Sequence, residues 1–217
     1  MNAITNSQLS EQLAQEKIVA IIRGTDIDAT VQTAQTLIDS GIRMLEITLT
    51  LDGALEAITR VNAAAPSGVV VGAGTVLTEH DADAAIAAGA RFIVTPTLSA
   101  SVDHALRHDI GVLAGVYTPT EIHRMMDAGA AAAKLFPAAT VGPGFVRAVR
   151  DPLPQARIVP VGGVNVDSVS EWLAAGAWAC GVGGPLVADA ARPGGDQQAL
   201  RERARAFVDA VRAEQSV

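Results

Sequence analysis

Ala128-Gly129-Ala130-Ala131-Ala132-Ala133-Lys134-Leu135-Phe136-Pro137 reads as the last turn of one helix followed by the whole of the next strand. Gly129 supplies the left-handed residue that ends a helix, and the run after it is apolar in both parities, as a strand covered on both faces of a parallel sheet is. The same junction recurs at Ser40-Gly41, Ala88-Gly89 and Ala175-Gly176, each entering an apolar strand within two or three residues. That interval corresponds to roughly two βα units, a weak internal repeat. Filling in the intermediate units places strands at 18–22, 44–48, 69–71, 92–95, 111–113, 132–136, 158–161 and 179–182. Helices fall at 27–39, 54–64, 79–88, 100–108, 121–128, 145–150, 167–175 and 197–214, with a short one at 10–16 ahead of the first strand. Eight alternating pairs fit a single-domain (β/α)8 TIM barrel over residues 1–217, with catalytic groups at the C-terminal strand ends. The competing fold is an open doubly wound sheet, which normally uses fewer strands.

Composition agrees with one core. At 217 residues a single domain can bury its apolar side chains, and no shift in composition divides the chain. The N-terminus lacks a basic stretch followed by an apolar one, and no run is long enough to cross a bilayer, so a cytoplasmic location is expected. The single cysteine, Cys180, rules out an internal disulfide framework and sits among apolar neighbours as a core residue. A net charge of −7 with only 3% aromatics argues against a nucleic-acid surface and for a small-molecule partner.

Lys134 is one of two lysines, the other being Lys17, and it lies inside an apolar run. Burial disfavours a charged amine, the condition under which lysine attacks ketones at neutral pH. The competing reading is a strand-end cation paired with a carboxylate. Glu46, in Leu45-Glu46-Ile47-Thr48-Leu49, shares the inward face of its strand with Thr48. It is either a proton shuttle or a layer residue neutralising Lys134 or Arg23, and alongside Lys134 the first reading gains. Arg23, Thr75 and Thr95 also fall at strand ends and should converge on one mouth.

Glycines mark two further features. Gly72-Ala73-Gly74-Thr75 follows the third strand, where small residues allow a ligand close to the backbone. Gly162-Gly163 after strand seven and Gly183-Gly184 after strand eight occupy the usual phosphate-binding loops of such barrels. His104 and His108 share a helix face at a zinc-compatible spacing, but with no third ligand evident a solvated face is expected, and no metal. Residues 189–196, with Pro193-Gly194-Gly195, read as a mobile connection that could cover the site, and Arg201 to Arg205 as a solvated helix face.

Taken together, Ile18-Val19-Ala20-Ile21-Ile22-Arg23, Leu45-Glu46-Ile47-Thr48-Leu49-Thr50, Gly72-Ala73-Gly74-Thr75-Val76, Ile93-Val94-Thr95-Pro96, Lys134-Leu135-Phe136-Pro137 and Val161-Gly162-Gly163-Val164 resemble a known family in order and spacing. It is that of the pyruvate-dependent class I aldolases acting on 2-keto-3-deoxy-6-phosphogluconate, 2-keto-3-deoxy-6-phosphogalactonate or 4-hydroxy-2-oxoglutarate, and the resemblance covers nearly the whole chain. It implies that Lys134 forms the Schiff base and Glu46 is the general acid/base. Arg23, Thr75 and the Thr95-Pro96 turn would hold the substrate's carboxylate end, and the barrel would assemble as a homotrimer. The implied reaction cleaves a 2-keto-3-deoxy-6-phosphohexonate, in its gluconate or galactonate form, to pyruvate and glyceraldehyde 3-phosphate, without a cofactor. The alternatives are 4-hydroxy-2-oxoglutarate or another non-phosphorylated 2-keto acid as substrate, a phosphate-binding isomerase or epimerase, and a sugar-acid-binding barrel without turnover.

The chain departs from this family's pattern at several positions. Thr50 stands where many phosphogluconate aldolases carry arginine, and Arg23 can supply that charge. Gly184 stands where a serine commonly supports the phosphate, and one neutral hydrogen bond is worth roughly 1 kcal/mol. Val161 matches the phosphogalactonate enzymes at a position where the phosphogluconate enzymes tend to carry threonine. Ala139 and Ala114 replace a glutamate and a proline.

Overall fold

The computed structural model describes residues 3–215. In chain order the elements are α1 (Asn6–Glu16), β1 (Ile18–Ile22), α2 (Ile27–Asp39), β2 (Met44–Thr48), α3 (Ala54–Ala64), β3 (Val70–Gly74), α4 (Glu79–Ala87), β4 (Ile93–Val94), α5 (Ala100–Arg107) and β5 (Val112–Val116). They continue with α6 (Pro119–Asp127), β6 (Ala132–Leu135), a 3-10 turn (Ala138–Thr140), α7 (Pro143–Arg150), β7 (Ile158–Pro160), α8 (Val169–Ala174), β8 (Cys180–Val182), α9 (Gly184–Val187) and α10 (Gln197–Gln215). All neighbouring strands pair in parallel in the order β7-β6-β5-β4-β3-β2-β1-β8. A bridge between Val161 and Gly181 joins the two ends. The sheet is therefore closed, which sets aside the doubly wound alternative and removes exposed edges.

Each strand divides its side chains between two layers. Ala20 and Ile22 of β1, with Leu45 and Ile47 of β2, face the helices, while Val19, Ile21 and Met44 point into the barrel. The inner layer is completed by such residues as Val70, Phe92 and Leu113. Strand β3 runs further than expected, because Gly72 and Gly74 pair in register with Glu46 and Thr48 instead of leaving the sheet as a loop.

The helix ahead of the first strand begins at Asn6, four residues earlier than expected, where a reciprocal cap forms. Thr5 Oγ1 accepts the Gln8 N–H while Gln8 Oε1 accepts the Thr5 N–H. Its apolar stripe, Leu9 and Leu13, is fully buried with Ile4 in the inner layer and plugs the N-terminal mouth of the barrel. Burying each leucine is worth about 1.5–3 kcal/mol. Lys17 ends the helix in a left-handed conformation (φ 59°). Its ammonium donates to Trp178 O and sits 5.5 Å from the Trp178 ring. Burial pushes the Lys17 pKa down, Cys180 pulls it back up and Arg150 adds to the lowering. The second lysine thus belongs to the closed end of the barrel. Cys180 is buried on β8, and burial pushes its thiol up to about 12, so it is inert at neutral pH.

Asn6 fastens the plug. Its Oδ1 accepts the N–H groups of Val112 (3.0 Å) and Ala131 (2.9 Å), and its Nδ2 donates to Ile110 O (3.2 Å). Asn6→Ala strands these buried groups at the base of β5 and β6, for a loss of about 3 kcal/mol. Urea unfolding should show that loss, and heating a Tm lower by roughly 10 °C. A midpoint equal to wild type would mean that the helix is held by its leucines alone.

Candidate active site

In an eight-stranded barrel, β2 and β6 lie on opposite walls, so long side chains from both meet near the axis. Glu46 and Lys134 do so: Lys134 Nζ lies 3.9 Å from Glu46 Oε1, with side chains 8% and 3% exposed. The separation is within ion-pair reach and longer than a direct hydrogen bond. Burial pushes the Glu46 carboxyl above its ordinary value, opposed by the charges of Lys134 and then Arg23. A carboxyl shifted upward holds its proton more readily than an ordinary glutamate, which suits a group that must both give and take one. The Lys134 ammonium also sits 5.7 Å from the Phe136 ring.

The glycines on neighbouring strands clear this volume for protein groups. A Cβ at Gly74 would overlap the Glu46 carboxylate, and one at Gly72 would meet the Phe92 ring at 2.6 Å. The expectation that this segment admits a ligand's approach is corrected, since Glu46 and Phe92 themselves fill the space. Gly115 on β5 similarly makes room for the Pro96 backbone, where any Cβ would collide. Sequence reading missed that role because the partner is 19 residues away in the chain.

Thr95 Oγ1 donates to Thr97 O (2.7 Å) and accepts from Gly115 N (3.0 Å). Its only proton is committed, so Thr95 braces the turn containing half-buried Pro96 and has none left to give a carboxylate. Thr75 follows β3 at φ 59°, a conformation that costs a β-branched residue about 1–3 kcal/mol. Such strain is held only where the surroundings impose it.

Beyond Phe136 opens a cleft of about 300 Å³. Gly162, Gly163, Gly183 and Gly184 line it together with Val161, and so does Arg23, which the resemblance had placed at the carboxylate end with Thr75, Thr95 and Pro96. Gly162 and Gly163 adopt φ of 89° and 91°, and a Cβ at Gly163 would overlap that of Ala139. Ala139 N donates to Gly162 O (2.9 Å), so a small residue at 139 packs directly on the glycine loop. Thr75, Thr95 and Pro96 are not among the cleft's walls; they stand beyond the Lys134 and Glu46 pair, on the β3 and β4 side.

Arg192 also lines the cleft, and sequence reading did not single it out. The 189–196 segment that carries it, expected as a mobile connection, is packed and hydrogen-bonded: Ala190 and Ala191 are buried, Thr25 N donates to Ala191 O, and Gln197 Nε2 donates to Ala190 O. The solvated reading of Arg201 to Arg205 fails at Arg203, which donates to Leu186 O and Val187 O and so ties α10 to α9. His104 is likewise no solvated helix residue. It is buried, 2.8 Å from Asp83 Oδ1, and its ring lies 4.6 Å from that of His108. Among the described residues no group of three or more His, Cys, Asp or Glu is placed to hold a metal ion.

Two outcomes follow from Glu46. Its folded-state pKa is raised, so its contribution to stability is fully present below about pH 4.5 and is lost as pH rises through the folded-state value. The stability difference between Glu46→Gln and wild type should therefore move in the variant's favour as pH rises above about 4.5 in urea titrations; a difference independent of pH would contradict the raised pKa. Gly74→Ala should displace the carboxylate and lower kcat by about 100-fold while the barrel still folds, as judged by circular dichroism. Wild-type turnover in that variant would show that Glu46 has room to spare.

The sequence model for KDPG and KHG aldolases matches residues 9–202. The chain is 34% identical over 166 residues to the 2-dehydro-3-deoxy-phosphogluconate aldolase of Treponema pallidum, covering 76% of this chain and 79% of that one. It is 32% identical over 197 residues to the 2-dehydro-3-deoxy-6-phosphogalactonate aldolase of Escherichia coli, covering 90% and 94%. Its fold superposes with a TM-score of 0.84, at 26% identity over 92% of this chain and 98% of the other, on a Legionella pneumophila KDPG aldolase solved with pyruvate captured as a covalent carbinolamine. On sequence and fold together, the chain belongs to the KDPG and KHG aldolase family.

Proposed function

We propose that this aldolase, a carbon-carbon lyase, uses Lys134 and Glu46 to cleave a 2-keto-3-deoxy-6-phosphohexonate into pyruvate and glyceraldehyde 3-phosphate. The observation that carries the reading is the buried pair, Lys134 Nζ 3.9 Å from Glu46 Oε1, beside a cleft that bears arginines. The Lys134 amine, in its neutral form, attacks the C2 ketone to give a carbinolamine. Glu46, acting through a water, moves the protons that let hydroxide leave as water and the iminium form. The iminium then draws the electron pair of the C3–C4 bond as Glu46 takes the C4 hydroxyl proton. The aldehyde departs, leaving an enamine on Lys134. Protonation at C3 and hydrolysis release pyruvate and restore the amine.

The substrate's two ends are assigned to opposite sides of this pair. Thr75 and the Thr95-Pro96 turn lie on the β3 and β4 side, where Thr75 and the turn's backbone would hold the 2-keto acid end. Gly162, Gly163, Gly183 and Gly184 line the cleft on the other side and would receive the distal anion. Arg23 lies on the cleft side of the pair, and its charge also favours the ionised form of Glu46. Val161, also in the cleft wall, is the residue that the phosphogalactonate enzymes tend to carry there, and on that resemblance it favours the galactonate configuration at C4 over the gluconate.

A homotrimer is part of the same reading. Leu55, Leu77, Leu98 and Tyr117, on consecutive units after β2, β3, β4 and β5, are each 39–43% exposed and form an apolar band that a second copy of the chain can cover. No helix among the described residues is long and apolar enough to cross a membrane. A cytoplasmic location is proposed on the charge of the substrate, which keeps a sugar-acid phosphate from crossing a bilayer.

Pyruvate release from both 6-phosphohexonates and from 4-hydroxy-2-oxoglutarate tests this assignment. Lys134→Ala should abolish turnover, and Glu46→Gln should slow it by about 10²- to 10⁴-fold. Turnover that survives in Lys134→Ala would end the Schiff-base reading and favour an isomerase or epimerase in which the lysine is only a clamp.

A further inference from the structure

The cleft beyond Phe136 is walled by two arginines, Arg23 and Arg192, and by no aspartate or glutamate. The Arg192 guanidinium makes no ion pair or hydrogen bond among the described residues. Arg60 and Arg107, by contrast, pair with nearby carboxylates. An unpaired guanidinium in the wall of a concave, carboxylate-free site is suited to a multivalent oxyanion.

The backbone holds it there. Ala188 sits at φ 49° and ψ −119°, a conformation unfavourable for any residue with a Cβ, and turns the chain after α9 back toward β1. Arg192 N donates to Asp189 O and Gly195 N to Arg192 O, which closes the turn around the arginine. A Cβ at Gly195 would overlap Asp189 O. Thr25 N then donates to Ala191 O at 3.2 Å, so the loop just after Arg23 is tied directly to the residue before Arg192. Gly24, between Arg23 and Thr25, permits this contact: a Cβ there would stand 3.4 Å from Ala191 O and overlap Thr30 Oγ1. The two guanidiniums therefore rise from adjacent, mutually hydrogen-bonded backbone segments, while Gly184 contributes no side chain.

We infer that Arg192 is the side-chain ligand for the substrate's distal phosphate, closing the cleft opposite the Gly162-Gly163 loop and making the enzyme prefer phosphorylated over dephosphorylated substrates. Arg23 lies between this site and Glu46 and couples the bound anion to the reacting end. The substrate part of this inference rests on the aldolase reading, whereas the anion site itself does not.

Binding of inorganic phosphate, followed by titration calorimetry, separates the two. Wild type should bind it, Arg192→Gln should weaken binding by about 10- to 100-fold, and Arg192→Lys should recover part of the loss. Equal affinity in wild type and Arg192→Gln overturns the site. If wild type also releases pyruvate, Arg192→Gln should raise KM for the 6-phosphohexonate with kcat nearly kept. The preference in kcat/KM over the dephosphorylated hexonate should then fall at least tenfold. An equal fall on both substrates overturns the specificity role. Arginine-dependent phosphate binding without any pyruvate release supports the anion site and rejects the aldolase assignment.

Discussion

One ion pair, buried near the axis of the barrel, explains most of the structure's unusual choices. Two opposed charges removed from water are costly unless the geometry compensates, and a buried pair is weak evidence for stability by itself. Here the surroundings are shaped to keep it. Gly74 gives up its side chain so that Glu46 can lie flat, and β2 and β6 face each other across a closed sheet. The α1 plug packs Leu9 and Leu13 into the inner layer at the far end, away from the C-terminal mouth. A stability-neutral core would have used apolar residues at both positions, so the pair is best understood as chemistry held in place by the fold.

The site is asymmetric about that pair. On the β3 and β4 side the fold supplies backbone and strain: Thr75 at positive φ, and the turn at Pro96 that Thr95 and Gly115 hold from beneath. On the β7, β8 and β1 side it supplies open glycine loops and cationic side chains. The first arrangement suits a small planar group needing orientation, and the second a larger, highly charged one needing neutralisation. Lys134 lies between them, next to Phe136, an exposed residue that forms part of the cleft wall.

Much of this was legible in the amino-acid order because the relevant signals are local. The Ala-Gly junctions, the apolar runs and the inward parity of Glu46 with Thr48 depend only on neighbouring residues, and β1, β2, α2 and α3 occupy the expected ranges. What escaped was set by contacts distant in sequence. Gly72-Ala73-Gly74 looks like a loop until β2 and β4 are placed beside it, and Gly115 is meaningful only against Pro96. The four-residue α9 is too short to show a helical period, and Arg203 is indistinguishable from a surface arginine until it reaches the carbonyls of Leu186 and Val187. Arg192 was hidden for a related reason: Pro193-Gly194-Gly195 signals a loop, and nothing nearby reveals that the loop is pinned to Thr25.

The proposed reaction requires covalent chemistry at one of two lysines. Incubation with pyruvate and borohydride, followed by peptide mapping, reads that directly, since reduction of the iminium leaves a permanent adduct on whichever amine formed it. The structure predicts the adduct on Lys134, at the open mouth beside Glu46. An adduct on Lys17, at the closed end under Trp178, or no adduct at all would contradict it.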